Sequence, residues 1–269
     1  DNPIHDVAAF SLMFGLRAIE AGVLQPYRPE RIPNLQNIYE WARDPLGGQY
    51  GIGFTVHCIA IYYRPDKVTP PITSWKDFWR PELKGRISWP EFLTTYGPYL
   101  LMMASKIWGE SEYDVEVGFT KLKELVDHVL TFYRRSSEMV MLFQQGEIWA
   151  SPAASFAWGL LEALDLPLSK VYPEEGCPAE VNIVGIVKGT PNAYWAEEFI
   201  NFLLSYEVQL AQAMDLVDSP VNKFVELPPE KAKNLVVGED LVSRLVFFDP
   251  HYVAANLENW SARWDELRR

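Results

Sequence analysis

Helix-like and strand-like segments alternate along this chain, and proline or glycine stands at many of the joints between them. Apolar residues at helical spacing predict helices over residues 99–107, 115–129, 137–145, 192–204, 206–216 and 251–267. Short apolar runs predict strands over residues 50–55, 59–63, 86–89, 148–150, 168–172 and 180–187. Alternation of this kind is typical of α/β proteins, so α/β is the predicted fold class.

Three local signals add detail to this pattern. Residues 6–21 have apolar side chains at helical spacing, which predicts a first helix there. Ser74 and Asp77 predict the start of a very short helix, because both side chains can accept hydrogen bonds from unpaired backbone N–H groups; Pro81 then ends it. Pro152 predicts the start of another helix, since proline is common at the first helical position.

The composition is that of an acidic globular chain. Among its 269 residues, Lys and Arg number 24 and Asp and Glu number 36, so the net charge is −12. Such a surface repels phosphate backbones, which argues against a nucleic-acid partner, and it is compatible with a cationic ligand. No apolar run approaches the roughly 20 residues that a membrane span needs. The length suits one large domain or two lobes.

The sequence lacks common motifs of enzymes and cofactor sites. It contains no G-x-S-x-G, G-x-G-x-x-G or Walker sequence. His57, Cys58 and Cys177 have the chemistry of metal ligands, but no C-x-x-C or H-x-x-x-H spacing joins them. We therefore predict no catalysis, no cofactor and no metal. The two cysteines allow either one disulfide or two free thiols.

Several short stretches, in a consistent order, are similar to one protein family. The most informative is the turn, short helix, turn and strand of residues 73–87, which follows a strand-like run. The others are a helix exit, a strand pair, a loop, a turn, a helix end and a second loop, at residues 15–26, 49–64, 145–151, 172–176, 201–205 and 219–222. Together they resemble the extracellular solute-binding proteins of ABC importers, in the branch that includes the spermidine/putrescine-binding proteins.

This resemblance implies a fold and a location. Members have two α/β lobes with a hinge and an interlobe cleft, the type II periplasmic-binding-protein-like fold, and they close over a solute without catalysing a reaction. The expected first lobe comprises residues 1–82 and 183–245, and the second comprises 83–182 and 246–269. Further elements would precede residue 1, so we expect an incomplete first lobe. The expected location is periplasmic or extracellular, with membrane anchoring through a preceding segment left open.

The resemblance also indicates candidate ligand contacts. Trp149 stands where polyamine binders have a cleft aromatic, with Ser151 beside it; core packing is the alternative for Trp149. Glu180 and Asn182 lie on one face of the strand predicted over residues 180–187, where those binders have an aromatic residue and an aspartate. Glu180 is either the carboxylate for a buried ammonium group or a solvated hinge residue. Asp218 is either a second carboxylate at the cleft rim or a turn residue.

The remaining candidates lie in two polar segments and are Thr55, His57, Glu91, Thr94, Thr95 and Tyr96. The hydroxyl of Thr94 and the free N–H groups of the following helix could bind an anion, although ordinary helix capping explains this threonine equally well. Glu91 would oppose an anion and favour an amine. His57 is either a titrating ligand contact or a structural histidine.

The predicted function is that of a receptor for a small organic cation of polyamine type. Its expected partners are this small-molecule solute and the membrane permease of an ABC importer, with no nucleic acid, and the expected state is a monomer. Two alternatives stay open at this point. One is a binding protein for a small anionic or zwitterionic solute held at Thr94 and Thr95, and the other is an enzyme built on the same two-lobed fold.

Overall fold

The computed structural model describes residues 3–215 and 218–268. The chain divides into two compact units, which are unit one (Asp1–His57 and Glu180–Val242) and unit two (Cys58–Ala179 and Ser243–Arg269). The sequence-based division differs mainly over residues 58–82, which it assigned to the first lobe. They lie in unit two because the strand that leaves unit one continues there and pairs with strands of unit two.

Helices and strands follow one another throughout the chain, which confirms the predicted α/β class. The strands are β1 (Val7–Ser11), β2 (Leu24–Gln25), β3 (Ile52–Tyr63), β4 (Ile87–Pro90), β5 (Val129–Tyr133), β6 (Ala150–Ala154), β7 (Ser169–Val171), β8 (Cys177–Val187), β9 (Ser219–Pro220) and β10 (Leu245–Val246). The α-helices are α1 (Leu12–Glu20), α2 (Glu40–Arg43), α3 (Gly97–Trp108), α4 (Val115–Val126), α5 (Ser136–Gln144), α6 (Trp158–Glu162), α7 (Ala193–Leu203), α8 (Tyr206–Met214), α9 (Pro229–Ala232), α10 (Glu239–Val242) and α11 (Pro250–Leu267). Short 3-10 helices cover Pro29–Arg31, Pro33–Asn37, Trp75–Trp79, Pro81–Leu83 and Ser155–Ala157.

In unit one, strands pair with β8 and with the first half of β3. β1 runs antiparallel to β8, with Ser11 opposite Asn182, and β2 pairs with the far end of β8. β9 runs antiparallel to β3, with Thr55 opposite Pro220. Helix α1 follows β1 directly, so its first residues lie next to the strand that carries Asn182.

The first predicted helix, over residues 6–21, is therefore wrong in its first part. Residues 7–11 form β1, and α1 begins at Leu12. The apolar spacing of these residues fits a helix, but their backbone hydrogen bonds go to β8, which lies far along the chain. A signal based on local periodicity cannot include such a distant partner, and tertiary pairing overrides it.

In unit two, β4 lies between β5 and β6 and runs parallel to both. β3 runs antiparallel to β6 and to β7, and β10 runs parallel to the first residues of β8. The carboxyl ends of β4, β5 and β6 therefore lie at one edge of this sheet. In parallel sheets this edge is the usual place for ligand sites.

Two further predictions in unit two are corrected. The helix predicted over 115–129 ends at Val126, and Val129 begins β5, which hydrogen-bonds to β4. Pro152 does not start a helix but lies inside β6, opposite Ile61 of β3. Its carbonyl accepts a 2.5 Å hydrogen bond from the Tyr133 hydroxyl, so the segment is held as a strand by neighbours on other elements.

Two smaller differences concern element ends. The strands predicted over 50–55 and 59–63 form one continuous strand, β3, whose pairing with β9 continues past Thr55 to Val56, between the two predicted strands. The helix predicted over 206–216 is α8, which ends at Met214, and Leu216 lies outside the described residues.

The short helix signalled by Ser74 is confirmed, as a 3-10 helix over Trp75–Trp79. The Ser74 Oγ accepts a hydrogen bond from the Lys76 N–H at 3.0 Å. The Asp77 Oδ2 accepts from the N–H groups of Thr73 and Ser74 at 2.8 and 3.0 Å. These are the reciprocal hydrogen bonds of a capping box.

This short helix contributes large side chains to the core of unit two. Trp75 and Phe78 are buried, and the ring of Phe78 meets the edge of Trp89 with centroids 5.1 Å apart. The Trp75 Nε1 donates a 2.8 Å hydrogen bond to the carbonyl of Gly176.

Within the described residues, no helix combines the length and the apolar character that a membrane span requires.

Candidate functional site

Five of the predicted ligand contacts lie together in unit one. Thr55 and His57 are on β3, Glu180 and Asn182 are on β8, and Asp218 directly precedes β9. Residues two apart on a strand point to the same face, so each strand presents its pair on one side. We call these five residues the unit-one cluster.

Glu180 is the buried centre of the unit-one cluster, with a side chain that is 1% exposed. Its Oε1 accepts a 3.1 Å hydrogen bond from the N–H of Leu12, the first residue of α1. Its Oε2 lies 3.5 Å from the Nε2 of His57 and has no hydrogen-bond partner among the described residues. A helix N-terminus thus stabilises one carboxylate oxygen, and a histidine faces the other.

The other members of the cluster provide polar groups around Glu180. The Asn182 Nδ2 donates a 3.0 Å hydrogen bond to the Thr55 Oγ1, which orients both side chains. Burial raises the pKa of the Asp218 carboxyl above its ordinary value, and the nearby His57 opposes that shift. The cluster therefore contains two carboxyl groups, one imidazole and two neutral hydrogen-bonding side chains.

Four further candidates lie at the carboxyl end of β4 in unit two. Glu91 follows the strand directly, and Thr94, Thr95 and Tyr96 lead into α3. Glu91, Thr94 and Thr95 line an open groove of about 780 Å³ whose wall also includes Arg134 and Arg268. We call this the β4 groove, defined by Glu91, Thr94, Thr95, Arg134 and Arg268.

Two of these residues already have partners within unit two. The Oε2 of Glu91 lies 2.7 Å from the Nη1 of Arg268, which follows α11. The Thr94 Oγ1 donates a 2.7 Å hydrogen bond to the backbone carbonyl of Glu91. The Glu91 carboxylate thus has a cation partner from its own chain, and the Thr94 hydroxyl proton is used within its own turn.

Trp149 and Ser151 lie away from the β4 groove. The Trp149 N–H donates to the carbonyl of Arg86, and its ring lies under that guanidinium at 5.1 Å. Arg86 directly precedes β4 and Trp149 directly precedes β6, and these two strands run parallel. Trp149 is therefore at the amino end of the sheet, opposite the end where Glu91 follows β4. Ser151 is fully buried, with its hydroxyl 2.9 Å from the Ser88 hydroxyl. These surroundings favour packing roles for both residues.

The two cysteines are buried and not bonded to each other by a disulfide. A hydrogen bond with the Cys58 thiol, together with burial, raises the pKa of the Cys177 thiol well above its usual range. In the described part of the chain, no group of three or more His, Cys, Asp or Glu side chains is arranged to hold a metal ion.

Two contacts at the candidate sites were not predicted from the sequence. The Leu12 N–H reaches Glu180 only because α1 starts after β1, whereas residues 6–21 were predicted as one helix. The Arg268 partner of Glu91 comes from the end of α11, far along the chain. An arginine directly after the predicted terminal helix is visible in the sequence, but its partner is not.

The chain matches the family model described as bacterial extracellular solute-binding protein over residues 2–243. The chain belongs to this family. The predicted resemblance is therefore confirmed, and the protein is a solute-binding protein of the kind that serves ABC importers.

Known relatives agree on this class and differ in their named solutes. A crystal structure of an ABC transporter from Clostridium perfringens ATCC 13124 is 32% identical, with a TM-score of 0.92 over 100% of this chain and 85% of that one. The spermidine/putrescine-binding periplasmic protein of Escherichia coli K12 is 24% identical over 88% of this chain and 69% of its own length. Iron uptake protein A1 of Synechocystis is 28% identical over 78% of this chain and 60% of its own length.

These relationships confirm the periplasmic-binding-protein-like fold of type II. They also answer the question of catalysis, because the relatives are binding proteins and transport components. This solute-binding protein is not an enzyme, and the alternative of an enzyme on the same fold is set aside. The family is extracellular, in agreement with the coarse location expected from the sequence.

Proposed function

We propose that this solute-binding protein captures a small organic cation of polyamine type at the unit-one cluster and delivers it to the membrane permease of an ABC importer. The observation behind this proposal is the Oε2 atom of Glu180, which is buried, faces His57 and accepts no hydrogen bond within the described residues. An ammonium group would supply both the missing hydrogen bond and the opposite charge. The proposed carrier acts as a monomer.

The charge balance of the cluster supports a cation. Glu180 and Asp218 provide two carboxyl groups, whereas His57 provides at most one positive charge. Because burial raises the pKa of Asp218, an ammonium group beside it would favour the ionised carboxylate and gain attraction in return. Thr55 and Asn182 are already oriented by their mutual hydrogen bond and can position a polar solute.

The relatives support the transport role more broadly than the choice of solute. The name of the Escherichia coli relative specifies spermidine and putrescine, and that of the Synechocystis relative specifies iron uptake. Because related chains are named for such different solutes, it is the unit-one cluster that favours an amine for this protein.

A second candidate function is the capture of a small anionic or zwitterionic solute at the β4 groove. It is favoured by Arg134 and Arg268, which line this groove together with Thr94 and Thr95. Arginine and hydroxyl donors near the start of α3 suit a carboxylate or a phosphate. The Glu91 carboxylate in the same groove and its pair with Arg268 weaken this alternative.

Calorimetric titration decides between the two candidates. Putrescine, spermidine, small carboxylates and sugar phosphates are titrated into the wild type, Glu180→Gln and Thr94→Ala. For a cation, we expect Glu180→Gln to weaken binding more than tenfold, which corresponds to over about 1.4 kcal/mol, and Thr94→Ala to have little effect. For an anion, Thr94→Ala weakens binding and Glu180→Gln is neutral or favourable, and that order would overturn the proposal.

The matched control is Glu197→Gln, which also removes a buried carboxylate from unit one. The Glu197 side chain is 2% exposed and pairs with Arg28, which is not a member of the unit-one cluster. We expect this variant to lose stability but to keep its affinity for the amine. We also expect Trp149→Ala to keep its affinity, since the ring packs under Arg86.

A further inference from the structure

His57 occupies a specific place within the unit-one cluster. Its Nε2 lies 3.5 Å from the Glu180 Oε2, and its side chain is 14% exposed. Asp218, ahead of β9, is close enough for His57 to lower its pKa electrostatically. Glu180 on β8 and Asp218 are thus two carboxyl groups near this imidazole, while the Leu12 N–H at the start of α1 approaches the other oxygen of Glu180.

We propose that His57 is an internal competitor for the solute: its protonated ring takes the place at Glu180 that the solute's ammonium group requires, so that capture of a cation releases a proton from His57. This inference rests on the proposed function, because it concerns the same cluster and the same class of solute. It assigns to His57 the control of when the site accepts a cation.

The physical reason is that one buried carboxylate oxygen compensates one adjacent positive charge. A protonated imidazole donates from Nε2 towards Glu180 and repels a second cation at the same oxygen. A neutral imidazole has one ring nitrogen that accepts a hydrogen bond. The same side chain therefore changes from a competitor of the ammonium group into an acceptor for it.

This exchange predicts proton-linked affinity. Histidine side chains commonly change charge between about pH 5 and 8. Across the pH range in which an imidazole side chain loses its proton, affinity for a cation should rise by up to about tenfold per pH unit and then level off. In the lower part of that range, each bound cation should displace close to one proton.

The test uses putrescine as the probe, titrated calorimetrically between pH 5.5 and 8 in two buffers of different ionisation enthalpy. The dependence of the heat on the buffer gives the number of protons released per putrescine bound. We expect release in the wild type at low pH, declining towards zero at high pH. For His57→Asn, we expect most of the pH dependence and most of the proton release to be lost, with only the contribution of Asp218 remaining. If that variant fails to fold, His57→Gln serves the same purpose, and the wild-type measurement stands without either.

Two controls identify the group that releases the proton. Asp218 also titrates in this cluster, so Asp218→Asn is measured alongside and should keep the proton release. His251 is exposed near the start of α11 in unit two, and His251→Asn should behave as the wild type. Release that survives His57→Asn but disappears in Asp218→Asn would overturn the assignment to His57.

The two proposals fail in different ways. If putrescine binds with a flat pH profile and no proton release, the role of His57 is overturned and the cation receptor stands. If neither putrescine nor another organic cation binds at any pH, the proposed function fails and the role of His57 falls with it.

Discussion

The Nη1 of Arg268 lies 2.7 Å from the Oε2 of Glu91 and joins the end of α11 to the loop after β4. The same guanidinium lies over the ring of Phe132 on β5, 4.1 Å from its centroid. Beside it, Trp264 of α11 stacks on Phe92 with ring centroids 5.4 Å apart. These contacts hold the end of α11 against the rest of unit two. The ion pair with Arg268 also engages the Glu91 carboxylate, which the sequence suggested as a solute contact.

We expect Arg268→Ala to lower the free energy of unfolding by about 1 kcal/mol, because it removes a partly exposed ion pair and a cation–π contact together. Urea unfolding at neutral pH measures this loss. Arg134→Ala, which removes an exposed arginine from the same groove, is the control and should change stability much less. Equal losses in the two variants would contradict a specific role for the pair with Glu91.

A second prediction concerns the pH dependence of stability. Burial alone would raise the pKa of Glu197, but hydrogen bonds from the side chain and backbone of Arg28 hold it below its usual value. A carboxyl with a lowered folded-state pKa stabilises the protein above its unfolded-state pKa, and this stabilisation is lost as the pH falls through the folded-state value. Glu197→Gln should therefore be less stable than the wild type at pH 7, with a smaller difference at acidic pH.

Urea unfolding of both proteins from pH 7 down to about pH 3.5 measures this effect, within the range where carboxyl groups titrate. Glu198→Gln is the matched control, since this neighbour is 42% exposed and lies 3.8 Å from Arg31. We expect its stability difference to be small at every pH. If the difference in free energy of unfolding between the wild type and Glu197→Gln grew as the pH fell, it would contradict a lowered pKa for Glu197 in the folded state.

The third prediction concerns the two thiols. Cys58 and Cys177 are fully buried. The hydrogen bond between the two thiols is the main cause that raises the pKa of Cys177, and burial is the second. Since the thiolate is the reactive form, both cysteines should react slowly with a thiol reagent such as Ellman's reagent at pH 8 in the native state. In denaturant without reductant, both thiols should react rapidly. An absence of free thiol after denaturation would indicate a disulfide and contradict the structure.

The fourth prediction concerns the capping box of the 3-10 helix in unit two. Ser74→Ala should cost about 1 kcal/mol, because the Lys76 N–H loses its acceptor and the hydroxyl also hydrogen-bonds to the Glu175 carboxylate. Asp77→Ala should lower the free energy of unfolding by a similar amount, since the N–H groups of Thr73 and Ser74 lose their hydrogen-bond acceptor. Thermal or urea unfolding of the single and double variants gives the coupling. Strict additivity would show that the two side chains act independently, against the reciprocal arrangement.

Predictions from local pattern succeeded where neighbours in sequence decide the structure. Ser74 and Asp77 lie three residues apart, so their capping hydrogen bonds were predictable. Helices such as α7 and α11 follow from apolar spacing alone. The errors at β1, at β5 and at Pro152 share one cause, which is that a strand depends on a partner distant in sequence.

The same division applies to the candidate site. From the sequence alone, the alternation of side chains on a strand paired Glu180 with Asn182, whereas Thr55 and His57 were predicted only as members of one polar segment. The fold decides that Thr55 and His57 on β3 meet Glu180 and Asn182 on β8. More than half of the residues of unit two lie between these two strands in the sequence. Trp149 shows the reverse case, since its motif suggested a ligand contact and its strand direction puts it at the amino end of the sheet.

The sequence by itself therefore determined the α/β class, most of the helices and the family resemblance, because these depend on local spacing and on short ordered motifs. The tertiary structure decided which carboxylates have partners. Glu180 and Glu91 look alike in the sequence, but Arg268 neutralises Glu91, whereas Glu180 is buried between the Leu12 N–H and His57. The physical reason is that the electrostatic state of a carboxylate is set by groups within a few ångströms, and in a folded chain those groups come from distant segments.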